Sequence, residues 1–520
     1  MRSLRTVAGT TRRLAAEVGT GWLLLGAASS TVLAVVSPAL IRNFDGPWFS
    51  WWYDPVPSTP TAILWASVAG YGAVALLLVG WLAVGWRVRT GRVSTRALWL
   101  TGIAWVLPLA VGPPLFSRDM YGYIGQAALV NLHLNPYTHG VDALSGTASA
   151  GFVQAVSPPW RATPAPYGPL FVWLASLILK LAGRNLTAAV LLLRLPELAG
   201  VAVVAVLLPR LARRLGADPR LALWVGGLSP LVLFELVGGG HNDALLAAVL
   251  VLAVYLAVEH HALVPAAIVC GAAVTIKAPA AVACVVITAA ALRAPGARPL
   301  RVVVVTAAGV AGAVAAITAA TGLGYRWMSP SVLLTPAKGS IVLTPVTAVA
   351  GTVTDVGHLF GWNLGEGTVT TSVWLAGLAA AAAVAWVLLG RSRPENLVAP
   401  LGLITLLVVV SAPALWPWYL TWAFCFLAAV PVLQRSALLA AAAAGAGLVL
   451  APSSEIVLPS ADAPFVLAGW ALVALLAVRA VRAFGSRAGL RAPAADPLAP
   501  VAGPTPAPAL ASTPGPRASG

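Results

Sequence analysis

The sequence predicts an all-α polytopic membrane protein, and three observations carry that prediction. Of 520 residues, 59% are hydrophobic and only 9% charged, against about 25% charged in an ordinary soluble domain. Mean hydropathy is +0.88, and the apolar residues fall in runs of membrane length. Short arginine blocks separate those runs, so the net charge of +16 reads as the positive-inside bias of cytoplasmic loops. A soluble enzyme, a disordered chain and a nucleic-acid-binding domain are excluded as readings of the bulk; no nucleic-acid partner is expected.

A helix needs about 20 apolar residues to cross roughly 30 Å of hydrocarbon. In chain order the candidates are Thr20–Ile41, Thr61–Trp86, Ala97–Phe116, Thr187–Leu208, Leu221–Val237, Asp243–Val258 and Ala262–Ala278. Pro279–Leu292, Val302–Thr321, Thr371–Gly390, Asn396–Ser411, Tyr419–Pro431, Ser436–Leu450 and Pro464–Phe484 follow. This gives about 14 transmembrane helices, or 12 when short runs merge. The first run is too long for a signal-peptide core and is followed by more spans, so it reads as a retained anchor. Residues 1–19 precede a membrane domain over 20–484, and 485–520, rich in Pro, Ala and Gly, read as a disordered tail.

Fourteen spans put both termini on one side, and arginine identifies it as cytoplasmic. Arg2, Arg5, Arg12 and Arg13 precede the first span, Arg87–Arg96 fill the second loop, and Arg210–Arg220, Arg293–Arg301 and Arg391–Arg393 continue the pattern. Reading Gly168–Gly183 as a span would flip Arg210–Arg220 outward. It is therefore expected as a helix lying in the outer interface. External loops then cover about 117–186 and 322–369, and loops this long in compact folds are usually functional.

The three cysteines, Cys270, Cys284 and Cys425, lie inside apolar runs, which gives neither a disulfide framework nor a metal-ligand spacing. There is no phosphate-binding G-x-x-x-x-G-K-[ST] loop, H-E-x-x-H helix or dinucleotide fingerprint. No metal and no cofactor is expected. A substrate must then bring its own leaving group, and an outward-facing membrane site points to a lipid-linked one.

Only 16 acidic residues exist, and ionisable groups at a membrane are functional candidates by default. Asp119 follows the third span beside Arg118 and Tyr121; it suits a general base acting on a hydroxyl, an ion pair with Arg118, or a helix cap. Gly238-Gly239-Gly240-His241-Asn242-Asp243 breaks the chain between the fifth and sixth spans. Its glycines let backbone approach a ligand, and Asn242 or Asp243 is expected to cap the next helix. Lys277 and Arg326 are candidate phosphate partners, with snorkelling as the alternative. Trp416, Trp418 and Tyr419 suit either sugar stacking or an interfacial aromatic belt. Arg194 and Glu197, at i,i+3, are expected to form a structural ion pair.

Further residues carry a family resemblance. Pro114-Leu115-Phe116-Ser117-Arg118-Asp119-Met120-Tyr121-Gly122-Tyr123-Ile124-Gly125-Gln126, followed by Asn135-Pro136-Tyr137, resembles the first external loop of actinobacterial polyprenol-phosphomannose-dependent α-1,6-mannosyltransferases. Pro164–Leu170, Gly240–Ala244, Ile276–Pro279 and Trp416–Tyr419 resemble the same family in the same order. The resemblance implies a GT-C glycosyltransferase fold with interfacial helices in a long first external loop. It implies a polyprenyl-phosphate mannose donor, a lipid-anchored mannan acceptor and an α-1,6 product formed at the outer face of the plasma membrane. Asp119 would be the base of a single inverting displacement. Lys277, Arg326, Arg118 and His241 would serve the donor phosphate, and Tyr121, Tyr167, Asn242, Asp243, Trp416, Trp418 and Tyr419 the acceptor sugar. Two other readings compete: a GT-C transferase for another lipid-linked sugar or acceptor, and a lipid flippase or transporter with ionisable groups near the bilayer midplane.

Overall fold

The computed structural model describes residues 2–45, 50–115, 117–335, 344–363, 365–412 and 414–449, with positions 475, 478 and 479. Among them every regular element is a helix or helical turn. Five helices are long and apolar enough to cross a membrane: Thr20–Arg42, Pro60–Arg89, Leu186–Arg214, Pro299–Thr321 and Gly367–Arg391. A bent pair, Pro219–Gly226 with Leu231–Gly238, makes a sixth. Shorter apolar helices fill the remaining runs, among them Thr95–Val111, Leu263–Val274, Ala278–Ala291, Val398–Val410 and Ala437–Ala446. The chain is a multi-pass membrane protein, all-helical among the described residues. The expected span Pro464–Phe484 and the tail from 485 lie outside the described residues.

The helix starts are written in the sequence. Thr59, Ser94 and Asn185 each accept a backbone N–H of the first turn that follows, and Pro60 adds a pre-set φ at the first helical position. Where the structure departs from expectation, local chemistry explains it. Leu221–Val237 is not one straight helix: it bends by 54° between Gly226 and Leu231 and continues as a π-helix over Leu231–Gly238. Gly226-Gly227 offers no side chains to hold the turn, and Pro230 donates no backbone N–H. Tyr419–Pro431 likewise shortens to a 3-10 turn, Pro417–Leu420, and the helix Thr421–Leu427. Within the first nineteen residues a helix runs over Arg2–Val18.

The segment 117–186 is folded throughout. It holds a helix over Asp119–Asn131, three short turns, and the Pro169–Ala182 helix, which occupies the run expected at the interface. At 1.5 Å per residue its 14 residues reach about 21 Å, short of a bilayer.

Two ends of the bundle differ in chemistry. At one end the arginine-rich turns meet: Arg87 donates to the carbonyls of Glu17 and Ala16, Arg89 to those of Arg435 and Ser436, and Arg220 to Asp218. Just below, Trp81 and Trp224 stack at 4.5 Å and each indole N–H donates to the other's backbone carbonyl, locking two helices together. The Thr95–Val111 helix starts at this end, where Ser94 N–H donates to the Glu17 carboxylate. Past its other end, at Gly112, the chain leads on to Asp119, which gathers with His241 and Lys277.

Candidate active site

Asp119 is the first residue of its helix, and its backbone N–H donates to Ser117 Oγ at 3.1 Å. Tyr123, four positions on, shares the same helix face. Its hydroxyl lies 3.4 Å from the Asn242 amide, and its ring meets Tyr167 and Phe171 edge-on at 5.0 and 4.8 Å. Tyr121, two positions on, turns elsewhere: it is buried within electrostatic reach of Arg194. Tyr167 arrives from the turn before the Pro169–Ala182 helix, and its hydroxyl donates to Asp119 Oδ2 at 3.3 Å. That turn sits on the chain leading into Lys277, with Gly168 N–H on Ile276 O at 2.8 Å and Leu170 N–H on Thr275 O at 3.0 Å. A Cβ on Gly168 would stand 2.2 Å from Thr275 O, so only glycine allows the approach.

The triple-glycine turn brings His241 to the same carboxylate. Gly240 takes φ +68°, and a Cβ there would lie 2.2 Å from Met120 Sδ, so the turn closes directly on the Asp119 helix. His241 is fully buried and stacks on Trp418 at 3.7 Å. Its Nδ1 is 2.7 Å from the Glu235 carbonyl oxygen, and its Nε2 is 3.9 Å from Asp119 Oδ2. A carbonyl only accepts, so Nδ1 carries the proton. Burial pushes the imidazolium pKa down to about 3, leaving the ring neutral with a bare lone pair on Nε2. In this state His241 offers Nε2 as an acceptor rather than the donor that the expected phosphate role calls for.

Lys277 and Asp243 form the third part. Lys277 Nζ donates to both Asp243 oxygens at 2.9 and 3.1 Å, and Trp422 Nε1 donates to Asp243 Oδ1 at 2.7 Å. The rings of Tyr419, Trp422 and Tyr167 surround the ammonium at 4.5, 5.1 and 5.4 Å. Two expectations change here. Asp243 is 0% exposed and holds three hydrogen bonds from Lys277 and Trp422, so no surface of it is open to the acceptor sugar expected there. Neither it nor Asn242 caps the following helix, because Asn242 already has helical backbone angles and no side-chain cap bond forms.

Asp119 differs from its neighbours. Its side chain is 24% exposed, yet burial of the carboxylate raises its pKa from 3.8 to about 6. Lys277 pulls it down, Asp243 pushes it up, and the hydrogen bonds from Ser117 and Tyr167 lower it. A carboxylate with that pKa is suited to take a proton near neutral pH.

Other expected residues are distributed unevenly. Trp418 has His241 and Trp416 stacked on it and is 3% exposed, which leaves no face for a sugar. Trp416 and Tyr419 remain half-buried at the rim. Asn242 is fully buried, and neither atom of its side-chain amide has a hydrogen-bond partner. Arg118 is half-buried at the start of the Asp119 helix, and Arg326 is exposed beside Trp327, which packs with Tyr137, Val172 and Tyr167. Arg194 and Glu197 lie within electrostatic reach of each other, as expected, but without a hydrogen bond between them: Arg194 donates to three backbone carbonyls, and both Glu197 oxygens lack a hydrogen-bond partner. Sequence reasoning missed Tyr123, Trp422 and Glu235. A helix assignment from Asp119 would have exposed Tyr123 by its i,i+4 spacing, and an acid inside the apolar run Leu231–Gly238 was the signal for Glu235. Among the described residues no group of three His, Cys, Asp or Glu side chains is placed to hold a metal ion.

Comparison with known proteins gives this geometry a family. The model of the alpha-(1->6)-mannopyranosyltransferase N-terminal domain matches residues 14–293, which include Asp119, Tyr167, His241, Asp243 and Lys277. The MptB C-terminal domain model matches residues 346–482. A relative named alpha-(1->6)-mannopyranosyltransferase A, from Mycobacterium tuberculosis, is 38% identical over 194 residues, 37% of each chain. A probable alpha-(1->6)-mannopyranosyltransferase from Mycolicibacterium smegmatis is 39% identical over 36% of this chain and 33% of its own. Alpha-(1->6)-mannopyranosyltransferase B of Corynebacterium glutamicum is 27% identical over 390 residues, 67% of this chain and 64% of its own. The chain thus aligns with about a third of the length of the first two relatives. No solved structure matches it. With a family model covering more than half of its length, the chain belongs to the alpha-(1->6)-mannopyranosyltransferase family.

Proposed function

We propose that the protein transfers mannose from polyprenyl-phosphate mannose to a lipid-anchored mannan, forming an α-1,6 link at the outer membrane face with Asp119 as general base. The observation that carries this reading is the state of Asp119: partly exposed, its pKa raised to about 6, and facing a neutral histidine. The acceptor 6-hydroxyl gives its proton to Asp119 as its oxygen attacks the anomeric carbon. The bond from that carbon to the phosphate oxygen breaks, and polyprenyl phosphate leaves with the electron pair. A carboxylate with pKa near 6 is a stronger base than an ordinary aspartate and is still ionised at neutral pH. Bare Nε2 of His241 can accept a hydrogen bond from Asp119 once it is protonated, which stabilises the proton taken from the acceptor.

The two N–H···O contacts of Lys277 to Asp243 leave a third ammonium proton for the donor phosphate, and Arg326 and Arg118 supply further positive charge from the rim. Developing phosphate charge is met by these cations. Tyr167, Trp416 and Tyr419 border the acceptor side. The GT-C fold, the 14-span count and the outward orientation belong to this proposal. The named activity of the aligned relatives supports the sugar and the linkage.

One observation favours a transporter of lipid-linked sugars instead. Glu235 is wholly buried in the second half of a helix broken by 54°, and broken helices mark substrate sites in transporters. Incubating isolated membranes with radiolabelled polyprenyl-phosphate mannose and an oligomannoside acceptor separates the two. Label in an elongated α-1,6 oligomannoside supports transfer; label moved across sealed vesicles with no new glycosidic bond supports transport and overturns the transferase reading.

A further inference from the structure

Arg194 is buried at 1% exposure in the Leu186–Arg214 helix, and its guanidinium reaches two separate segments. Nη1 donates to Leu109 O at 2.6 Å and Gly112 O at 2.7 Å; Nη2 donates to Gly238 O at 2.9 Å. Leu109 O lacks its helical donor, because the residue four positions on is Pro113, which has no backbone N–H. Gly238 O also accepts the Leu115 N–H at 2.9 Å. One segment leads from Gly112 to Asp119, and the other from Gly238 to His241. The two carry the pair of atoms, Asp119 Oδ2 and His241 Nε2, that stand 3.9 Å apart.

We propose that Arg194 is a positioning residue for the transfer reaction: by tying the root of the Asp119 segment to the root of the His241 turn, it sets the spacing between carboxylate and imidazole. This rests on the reading of Asp119 as the base. The planar fork matters, because a lysine ammonium keeps the charge but lacks the fixed geometry that spans two segments. Misplacing a reacting group by about 1 Å can cost on the order of 10²-fold.

Transfer from radiolabelled polyprenyl-phosphate mannose to an oligomannoside is measured for the full-length protein and its Arg194→Lys, Gly112→Ala and Asp119→Asn variants, with thermal midpoints recorded in detergent. A Cβ on Gly112 would meet Ala34 at 3.3 Å, so that variant keeps Arg194 and crowds the segment that carries its acceptor carbonyl, where relief takes a shift of tenths of an ångström between the two segments. Arg194→Lys is expected to lose about 10²-fold in kcat with donor KM little changed. Its acid limb should move below pH 6, as looser walls let water reach Asp119 among Tyr167, His241, Lys277, Asp243 and Ser117. Gly112→Ala should lose several-fold in kcat with KM and folding intact, and it decides the matter if the lysine variant does not fold. Wild-type kcat and pH profile in a folded Arg194→Lys, or in Gly112→Ala where that variant decides, with Asp119→Asn inactive, overturn the positioning role and leave the base reading standing. An active Asp119→Asn overturns the base reading, and the positioning role falls with it.

Discussion

Asp119 and Asp243 are close counterparts with opposite fates. Each is the first residue of its helix, and each acts electrostatically on the same set of tyrosines. Asp243 is sealed: two bonds from Lys277 and one from Trp422 reach its oxygens, and water does not. Asp119 keeps capacity: the neutral hydroxyls of Tyr167, at 3.3 Å, and Ser117 reach its carboxylate, and a quarter of its side chain is open. The difference teaches that a carboxylate at a membrane surface becomes structural when a buried cation neutralises it. It is left for chemistry when burial raises its pKa without supplying a partner.

The comparison breaks most decisively at Asp119. Asp119→Asn keeps size and most hydrogen bonding but takes no proton, so transfer should fall about 10²- to 10⁴-fold with a thermal midpoint at neutral pH no lower than the parent's, since the buried charge is gone; a near-normal rate would move the base elsewhere. At Asp243 the expected loss is stability. Asp243→Asn leaves the Lys277 ammonium uncompensated in a buried site, at a cost of about 3–5 kcal/mol. A denaturation series should show Asp243→Asn with Lys277→Met recovering much of it. Trp422→Phe removes one donor to the same carboxylate and should cost about 1.5–3 kcal/mol. The smallest effect sharpens the contrast: Tyr167→Phe removes a bond that favours ionised Asp119, so the acid limb of the rate profile should move up in pH with a loss within about tenfold, or ~1.4 kcal/mol.

Much of this was legible in the sequence because membrane chemistry leaves few polar residues to choose among. The apolar runs and arginine blocks gave the helical, multi-pass architecture, and Asp119, Tyr167, His241, Asp243 and Lys277 were all singled out and converge. What failed was the assignment of partners. Asp243 reads as a cap in sequence because capping is local, whereas its actual partners lie 34 and 179 residues away. The role of Arg194 was hidden for the same reason: its acceptors are backbone carbonyls, which carry no residue signature. Trp418 looked like a sugar platform, but the histidine that occupies its face comes from a distant turn. The bend at Gly226–Pro230 was visible as residues, yet its angle follows from packing.

The measurement that tests the central claim most directly is the pH dependence of kcat/KM for mannosyl transfer between pH 4 and 8. Asp119, facing Tyr167, His241, Lys277, Asp243 and Ser117, should ionise near 6, so the rate should be flat above that pH and fall about tenfold per unit below it. Stability works in the opposite direction. A carboxyl whose pKa is raised by folding stabilises the native state below its unfolded value near 3.8, and that contribution is lost as pH rises through 6. Acid loss of rate from this group is therefore not unfolding. An acid limb near pH 6 in a protein whose thermal midpoint holds to pH 5 agrees with Asp119 as the base. A rate unchanged down to pH 4.5, or a limb near 6 that survives in the residual activity of Asp119→Asn, contradicts it.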